Sequence, residues 1–385
     1  MPAVQQFVFS HPTRVVFGLG GIRSLGQLIK EAGEFTRVVV VTDRALAGSA
    51  LIEDVMGCLR SENLQCKLFG EVEPNPADRI VERGAEVALN VNADAIVAIG
   101  GGSSIDTAKV MSVVATFGGD IRQYEAPESI PGPGLPVVAV PTTAGTGSEV
   151  TQWAVITDTG THRKMALGSP YLLPKLAVVD PAVTVSLPPS LTAYTGLDAL
   201  THAIEAFTAT VAHPMADAFC LEGIRLVAES LLKAVSDGRD MEARSAMALA
   251  ALFGGYAINF SDVAGAHCLA EALGSRYPVP HGLACAVFLV PVTEYNLPAT
   301  VHRYARVARA LGVVQEGADM EIAQAGLAWL KRLCGNLGLP SLRDLGVKRE
   351  DLSEIAGLAA HNVSVPSNPR SVDEQAFMEL LLASY

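Results

Sequence analysis

Residues 93–109, ADAIVAIGGGSSIDTAK, set an unbroken apolar run, three glycines, two serines and the start of a helical pattern in immediate succession. A continuous apolar run of this length suits a parallel strand buried on both faces, and a glycine turn straight into a helix is the entry to a crossover connection. The same texture recurs on both sides: TRVVFGLG (13–20), RVVVVTD (37–43), QCKLFGEV (65–72), LPVVAVPT (135–142) and KLAVVD (175–180). Helical segments such as PADRIVERGAEVALNVN (76–92) lie between them. The stretch 1–183 is therefore expected to be an α/β domain, a doubly wound and mostly parallel sheet.

Beyond the segment VVDPAVTVSLPPS (178–190), read as the joint, the pattern turns helical: LTAYTGLDALTHAIEAFTATV (191–211), MADAFCLEGIRLVAESLLKAVSDG (215–238), EARSAMALAALFGGYAINF (242–260) and RYARVARALGV (303–313). Residues 184–385 are expected to form an all-helical domain, and 385 residues are enough for two domains with a ligand cleft between them. Half the residues are hydrophobic and 18% charged, which gives a large core, while a net charge of -12 repels nucleic acid and anionic lipid. Apolar runs such as LACAVFLVPV read as too short for a bilayer, and MPAVQQFVFSHPTR has no secretory pattern, so a cytoplasmic location is expected. Six scattered cysteines without CxxC spacing argue against a disulfide framework, and Cys268 and Cys285 read as small core residues.

The turn Gly100, Gly101, Gly102, Ser103, Ser104 can bring its backbone close to a diphosphate and offers hydroxyls and free helix amides as donors. PTTAGTGSEVT (141–151) repeats the device after the next strand, with Thr142, Thr143, Thr146 and Ser148. Two such loops at strand carboxyl ends point to one nucleotide crevice. Asp43 ends RVVVVTD, where a carboxylate accepts ribose hydroxyls and repels a 2′-phosphate, or else caps the next helix.

In the helical half, Asp198 and His202 are four apart on one helix face, a spacing that lets a carboxylate and an imidazole close on one divalent ion. His267 and His281 bound the stretch HCLAEALGSRYPVPH, each near the start of a helical segment, and could complete a four-ligand site.

Together GGGSSIDTAK, PTTAGTGSEVT, DALTHAIEAF, the two histidines ending in PHG and the NPR of Asn368 to Arg370 resemble the iron-containing (group III) alcohol dehydrogenases, with their dehydroquinate synthase-like fold. The resemblance implies a metal-dependent, NAD(H)-linked oxidoreductase interconverting a primary alcohol and its aldehyde. It implies Asp198, His202, His267 and His281 as ligands of Fe(II), with Zn(II) also suited to nitrogen and oxygen donors. It puts Asp43 at the adenosine ribose and the two loops, with Asp106 and Lys164, on the rest of NAD. Trp153 and Ile258 fall at substrate-pocket positions, and a homodimer or higher homo-oligomer paired through FVFSHPTRVVFGLG (7–20) is implied. One departure stands out: where many relatives carry HxxxH, the residue four after His267 is Glu271, read here as a proton relay. With Asp262 just upstream, it suggests a substrate bearing a second polar group. Two alternatives remain, a maleylacetate reductase-type reductase without metal and a dehydroquinate synthase-like carbon–oxygen lyase.

Overall fold

The computed structural model describes residues 6–161 and 163–385. Its first part alternates β1 (Arg14–Phe17), α1 (Leu25–Ala32), β2 (Arg37–Asp43), α2 (Ala50–Ser61), β3 (Gln65–Val72), α3 (Asp78–Asn90), β4 (Ala95–Gly100), α4 (Gly102–Phe117) and β5 (Val137–Pro141). A hairpin, β6 (Trp153–Asp158) and β7 (Arg163–Gly168), precedes β8 (Leu176–Val179). The main sheet runs β1-β8-β5-β4-β2-β3 with every neighbour parallel. Its edge strands β1 and β3 are partly exposed, while the inner strands β2, β4, β5 and β8 are runs that the sequence marks as continuously apolar. Their alternate residues feed two cores: Val39, Val41, Ile96 and Ala98 pack with Ile80 and Val81 of α3 and Val110 of α4. Val38, Val40, Val97 and Ile99 pack with Leu25 and Ile29 of α1 and Ile52 and Leu59 of α2. Burial on both faces is what makes the runs unbroken.

From β2 the chain moves outward to β3, and from β4 it moves the opposite way to β5. The carboxyl ends of β2 and β4 are therefore the switch point of the sheet, where open α/β sheets leave a crevice. The hairpin was not foreseen. Trp153–Asp158 alternates exposed and buried positions, and its partner carries Arg163 and Lys164, so neither strand shows the apolar continuity of the main sheet.

The second part is helical: α5 (Pro189–Thr208), α6 (Pro214–Ser236), α7 (Met241–Phe260), α8 (Gly265–Arg276), α9 (His281–Asn296), α10 (Val301–Ala310), α11 (Asp319–Asn336), α12 (Leu352–Ala360) and α13 (Glu374–Ala383). Leu197, Leu200, Ile204 and Phe207 of α5 pack with Ile224 and Val227 of α6 and Met247 of α7. A separate core joins α8, α9, α12 and α13 through Leu269, Phe288, Ile355 and Phe377. Two compact units result, Ser10–Thr143 with Gly147–Leu187, and Pro188–Tyr385 with Ala144–Thr146 and the described residues before Ser10. The run LACAVFLVPV falls within the helical stretch His281–Ala299, which by length and composition alone is long and apolar enough to cross a membrane, with a mean hydropathy of 1.2. Its window is 61% buried inside the protein and it opens on a polar cluster, as a core helix does.

Candidate metal centre and nucleotide site

Asp198 lies midway along α5, 1% exposed, and one turn later His202 is 4% exposed. Helix α8 starts just before His267, and His281 is the first residue of α9. Close approach of α9 to α5 depends on Gly282, because a Cβ there would stand 2.6 Å from the Tyr194 carbonyl oxygen. The result is that Asp198 Oδ1 lies 3.8 Å from His267 Nε2 and 3.7 Å from His281 Nε2. The His202 ring stacks on His267 with centroids 4.4 Å apart. Donor atoms of Asp198, His267, His281 and Cys285 all fall within 4.8 Å of one another. His202 is not one of that four.

Burying polar atoms without partners costs on the order of 1–3 kcal/mol each, yet Asp198 Oδ1, His202 Nδ1 and His267 Nε2 are buried without a hydrogen-bond partner among the described residues. A cation bound here would satisfy such atoms, so the residues fit a metal. Behind them stands Glu205, seven residues along α5 from Asp198. Its carboxylate accepts from His267 Nδ1 at 2.6 Å and from the backbone N–H groups of Ala264 at 2.9 Å and Ala266 at 2.6 Å. Because a carboxylate only accepts, the Nδ1 proton is fixed and the Nε2 lone pair faces Asp198. Asn368, of the NPR motif, accepts from Gly265 N–H at 3.2 Å and exchanges amide hydrogen bonds of 2.8 Å with Asn296. The orphan donors at the start of α8 are thus closed by two side chains.

Electrostatics in this pocket run against burial. Burial opposes the charge of Asp198, but the imidazoles of His202, His281 and His267 hold its carboxyl well below the usual range. Burial takes His202 down to about 3, with His267 and His281 adding to the effect against Asp198. For His281 burial is outweighed by Cys285 and Asp198, which push it up to about 9, and His267 is raised by Cys285, Asp198 and Glu205.

Glu271 follows His267 by one turn on α8, half-buried, and its carboxylate accepts from Asn362 Nδ2 at 2.7 Å. Asp262 occupies a left-handed backbone position, φ 104°, and is held there by Ser364 and Ser367, whose hydroxyls donate to its carboxylate at 2.9 and 2.5 Å. That clamp gives Asp262 a local structural task. Ile258 packs partly buried against the helical core.

In the α/β unit, Asp43 sits at the end of β2, where its carboxylate accepts from Ala45 N–H at 2.9 Å and Leu46 N–H at 3.1 Å. Its other oxygen is 3.5 Å from where a Cβ on Gly100 would stand. Gly100 has φ 156°, and the same Cβ would strike Ser104 Oγ at 2.3 Å. The two loops touch: Thr142 N–H donates to the Gly100 carbonyl at 3.0 Å, and Thr143 packs beside Gly101. Gly102 and Ser103 open α4, and the buried Ser104 hydroxyl has no partner among the described residues. Asp106 and Ser148 are turned toward each other: the Ser148 hydroxyl donates to Asp106, which also accepts from Val155 N–H at 3.0 Å. Thr146 groups with the helical unit. Lys164 donates to Asn75 at 2.7 Å and Thr157 at 3.0 Å. The Trp153 ring lies over Gly168 of the paired strand, leaving the residue 37% exposed.

Beneath the second loop is Lys109, fully buried, whose ammonium donates to Ser148 Oγ at 3.1 Å, to Thr151 O and Oγ1 at 2.8 and 3.1 Å, and to Trp153 O at 2.8 Å. Burial lowers it to about 8, against Asp106 and Glu149. Burial likewise raises Glu149 to about 7, against Lys109. Sequence reasoning missed Glu205, Lys109 and the role of Asn368, while Cys285 packs in a core as expected but also stands beside His281. A charged residue inside an otherwise apolar helical run was the available signal for Glu205 and Lys109.

Residues 12–181 match the iron-containing alcohol dehydrogenase family, and residues 192–385 match the Fe-containing alcohol dehydrogenase family, C-terminal. An NAD-dependent methanol dehydrogenase of Bacillus methanolicus is 39% identical, over 97% of this chain and 98% of that protein. A choline dehydrogenase of Bacillus subtilis (strain 168) is 37% identical, over 97% of this chain and 94% of that one. A 1,3-propanediol dehydrogenase of Citrobacter freundii is 37% identical over 99% of both. Among solved structures, a 1,3-propanediol oxidoreductase superposes with a TM-score of 0.96 at 36% identity, covering 99% of this chain and 100% of the other. With both halves matched in order, the chain belongs to the iron-containing alcohol dehydrogenases and is an enzyme that interconverts alcohols and aldehydes.

Proposed function

We propose that Asp198, His202, His267 and His281 hold a divalent cation, Fe(II) in the manner of the family or Zn(II), and that the turn after β4 and the 141–151 loop bind NAD(H). The roles then divide along the chain, nucleotide binding within 1–183 and metal and catalysis within 184–385. When bound, the cation supplies Lewis acidity at the substrate oxygen and NAD(H) supplies the hydride acceptor or donor. The chain's residues do the rest. Glu205 presents His267 in one tautomer; Gly100, Gly101 and Gly102 let the backbone approach a diphosphate, with Ser103, Ser104, Thr142, Thr143 and Thr146 as hydroxyl donors. Asp43 accepts the ribose hydroxyls, and Asp106, Ser148 and Lys164 shape the wall around them. Glu271 carries the alcohol proton away in oxidation and returns it in reduction. Trp153 and Ile258 border the substrate.

The observation that carries this reading is the set of buried donors without partners around Asp198, with Glu205 fixing His267 behind them. It favours a metal-using enzyme over a metal-free reductase. As substrate we take a primary alcohol or its aldehyde with a second polar group: the propanediol and choline enzymes among the relatives are, by name, for alcohols of that kind. The test is metal analysis and turnover of His267→Ala and His281→Ala on a panel of alcohols and aldehydes with NAD(H) and NADP(H). Both variants are expected to lose the metal and turnover while still binding NADH, and near-normal activity in either would remove the reading. We also propose a cytoplasmic homodimer or higher homo-oligomer. Support comes from β1, an edge strand of the main sheet that pairs with β8 alone among the described residues. A monomer by light scattering at micromolar concentration would refute it.

A further inference from the structure

We infer that Cys285 Sγ is a further donor, beside Asp198, His202, His267 and His281, to the ion they hold, an inference that rests on the metal reading above. An ion bonded to nitrogen or oxygen at about 2.0–2.1 Å and to thiolate sulfur at about 2.3 Å, with five donors at angles of about 90–120°, sets neighbouring donors roughly 3–3.8 Å apart. The separations here are close to those distances: Sγ to His281 Nε2 is 3.6 Å, and Asp198 Oδ1 is 3.7 and 3.8 Å from the two histidine nitrogens. All four atoms lie within 4.8 Å of one another. The three shorter separations leave room for one ion among these donors.

The helix explains the placement. Cys285 follows His281 by four residues in α9, so the thiol stands under the imidazole on the same face. It is fully buried and unbonded to any other cysteine. Cys285 packs in the core of α8, α9, α12 and α13, yet its sulfur also stands within 4.8 Å of two imidazole nitrogens and a carboxylate oxygen, two of which lack hydrogen-bond partners among the described residues. Cys268 gives the contrast within the same chain. It is equally buried beside His267 in sequence but stands outside the group. A sulfur donor binds as the thiolate, its proton passing to solvent as the metal enters. It shifts the site toward ions that accept sulfur, Zn(II) and Co(II), and away from Mn(II) and Mg(II).

The experiment is a titration of the metal-free, full-length protein with Co(II), read by absorption. Wild type is expected to develop a sulfur-to-cobalt charge-transfer band in the near ultraviolet, complete at one equivalent. Cys285→Ser should lose that band, keep the weaker visible bands and bind Co(II) about tenfold or more less tightly in chelator competition; Cys268→Ser should keep it. One bound Co(II) with visible bands only in the wild type overturns the inference without touching the metal reading, and needs no variant to fold. An unchanged near-ultraviolet band in Cys285→Ser also overturns it. Failure of the wild type to retain Co(II) would remove the metal reading and this inference together.

Discussion

Glu205 shows how much of the proposed metal centre can rest on one residue behind the donor atoms. It accepts from two backbone N–H groups at the start of α8 and from the ring of His267, so it fixes a helix end and an imidazole tautomer at once. Glu205→Ala is expected to lower metal affinity by roughly 10–100-fold. Glu205→Gln, which accepts through one oxygen only, should fall between that variant and wild type. Chelator competition measures both, and an unchanged affinity in Glu205→Ala would leave the residue as a helix cap alone. For Glu271, the Gln variant should keep its metal and lower kcat by roughly 10²-fold or more. A wild-type rate would make the side chain a wall residue whose task is to hold Asn362. Type and spacing singled out Asp198, His202, His267 and His281, of which the fold brings donor atoms of Asp198, His267 and His281 into one group while the His202 ring stacks on His267. The sequence hid Glu205 and the place of Cys285 beside His281, since a glutamate and a cysteine inside helical runs look the same whether they face a core, solvent or a metal.

At the level of elements, the inner strands of the main sheet were legible because burial on both faces leaves its mark on nearly every residue of a strand. The β6–β7 hairpin was not, because a strand covered on one side carries only alternation, and six residues of it are easily lost between loops. The crevice between β2 and β4 follows from strand order, which no local pattern records. Two substitutions test it. Asp43 closes a turn with two backbone N–H groups, so Asp43→Asn keeps an acceptor for them while removing the charge. It should narrow a preference for NADH over NADPH with little loss of stability; equal use of both cofactors by wild type would reduce Asp43 to a turn-former. Gly100→Ala forces a side chain onto a left-handed backbone and into Ser104. A loss of about 1–3 kcal/mol in stability is expected, with weaker NADH binding, read by thermal melting and by fluorescence titration.

Across the whole molecule, two buried charges under one loop give the fold a pH dependence of definite sign. Glu149, raised from 4.5 to about 7, contributes stability that is fully present below pH 4.5 and is lost as pH rises through 7. Lys109, lowered from 10.5 to about 8, burdens the fold below pH 8 and ceases to as pH climbs toward 10.5. Each pKa unit corresponds to on the order of 1 kcal/mol, so the pair places a trough in stability near pH 7–8. Glu149→Gln should flatten the acid side of a plot of Tm against pH, and an unchanged slope between pH 4.5 and 7 would show that Glu149 does not cause it. The burial of Lys109 also turns it into a built-in reporter. An amine-acylating reagent can reach its nitrogen only when the loop from Ser148 to Trp153 lifts or the unit opens, whereas exposed lysines such as Lys348 react at once. Its labelling rate relative to theirs, followed by mass spectrometry of the intact enzyme, therefore counts how often the α/β unit breathes, and a drop in that rate on adding NADH would measure how far the proposed cofactor site holds it shut.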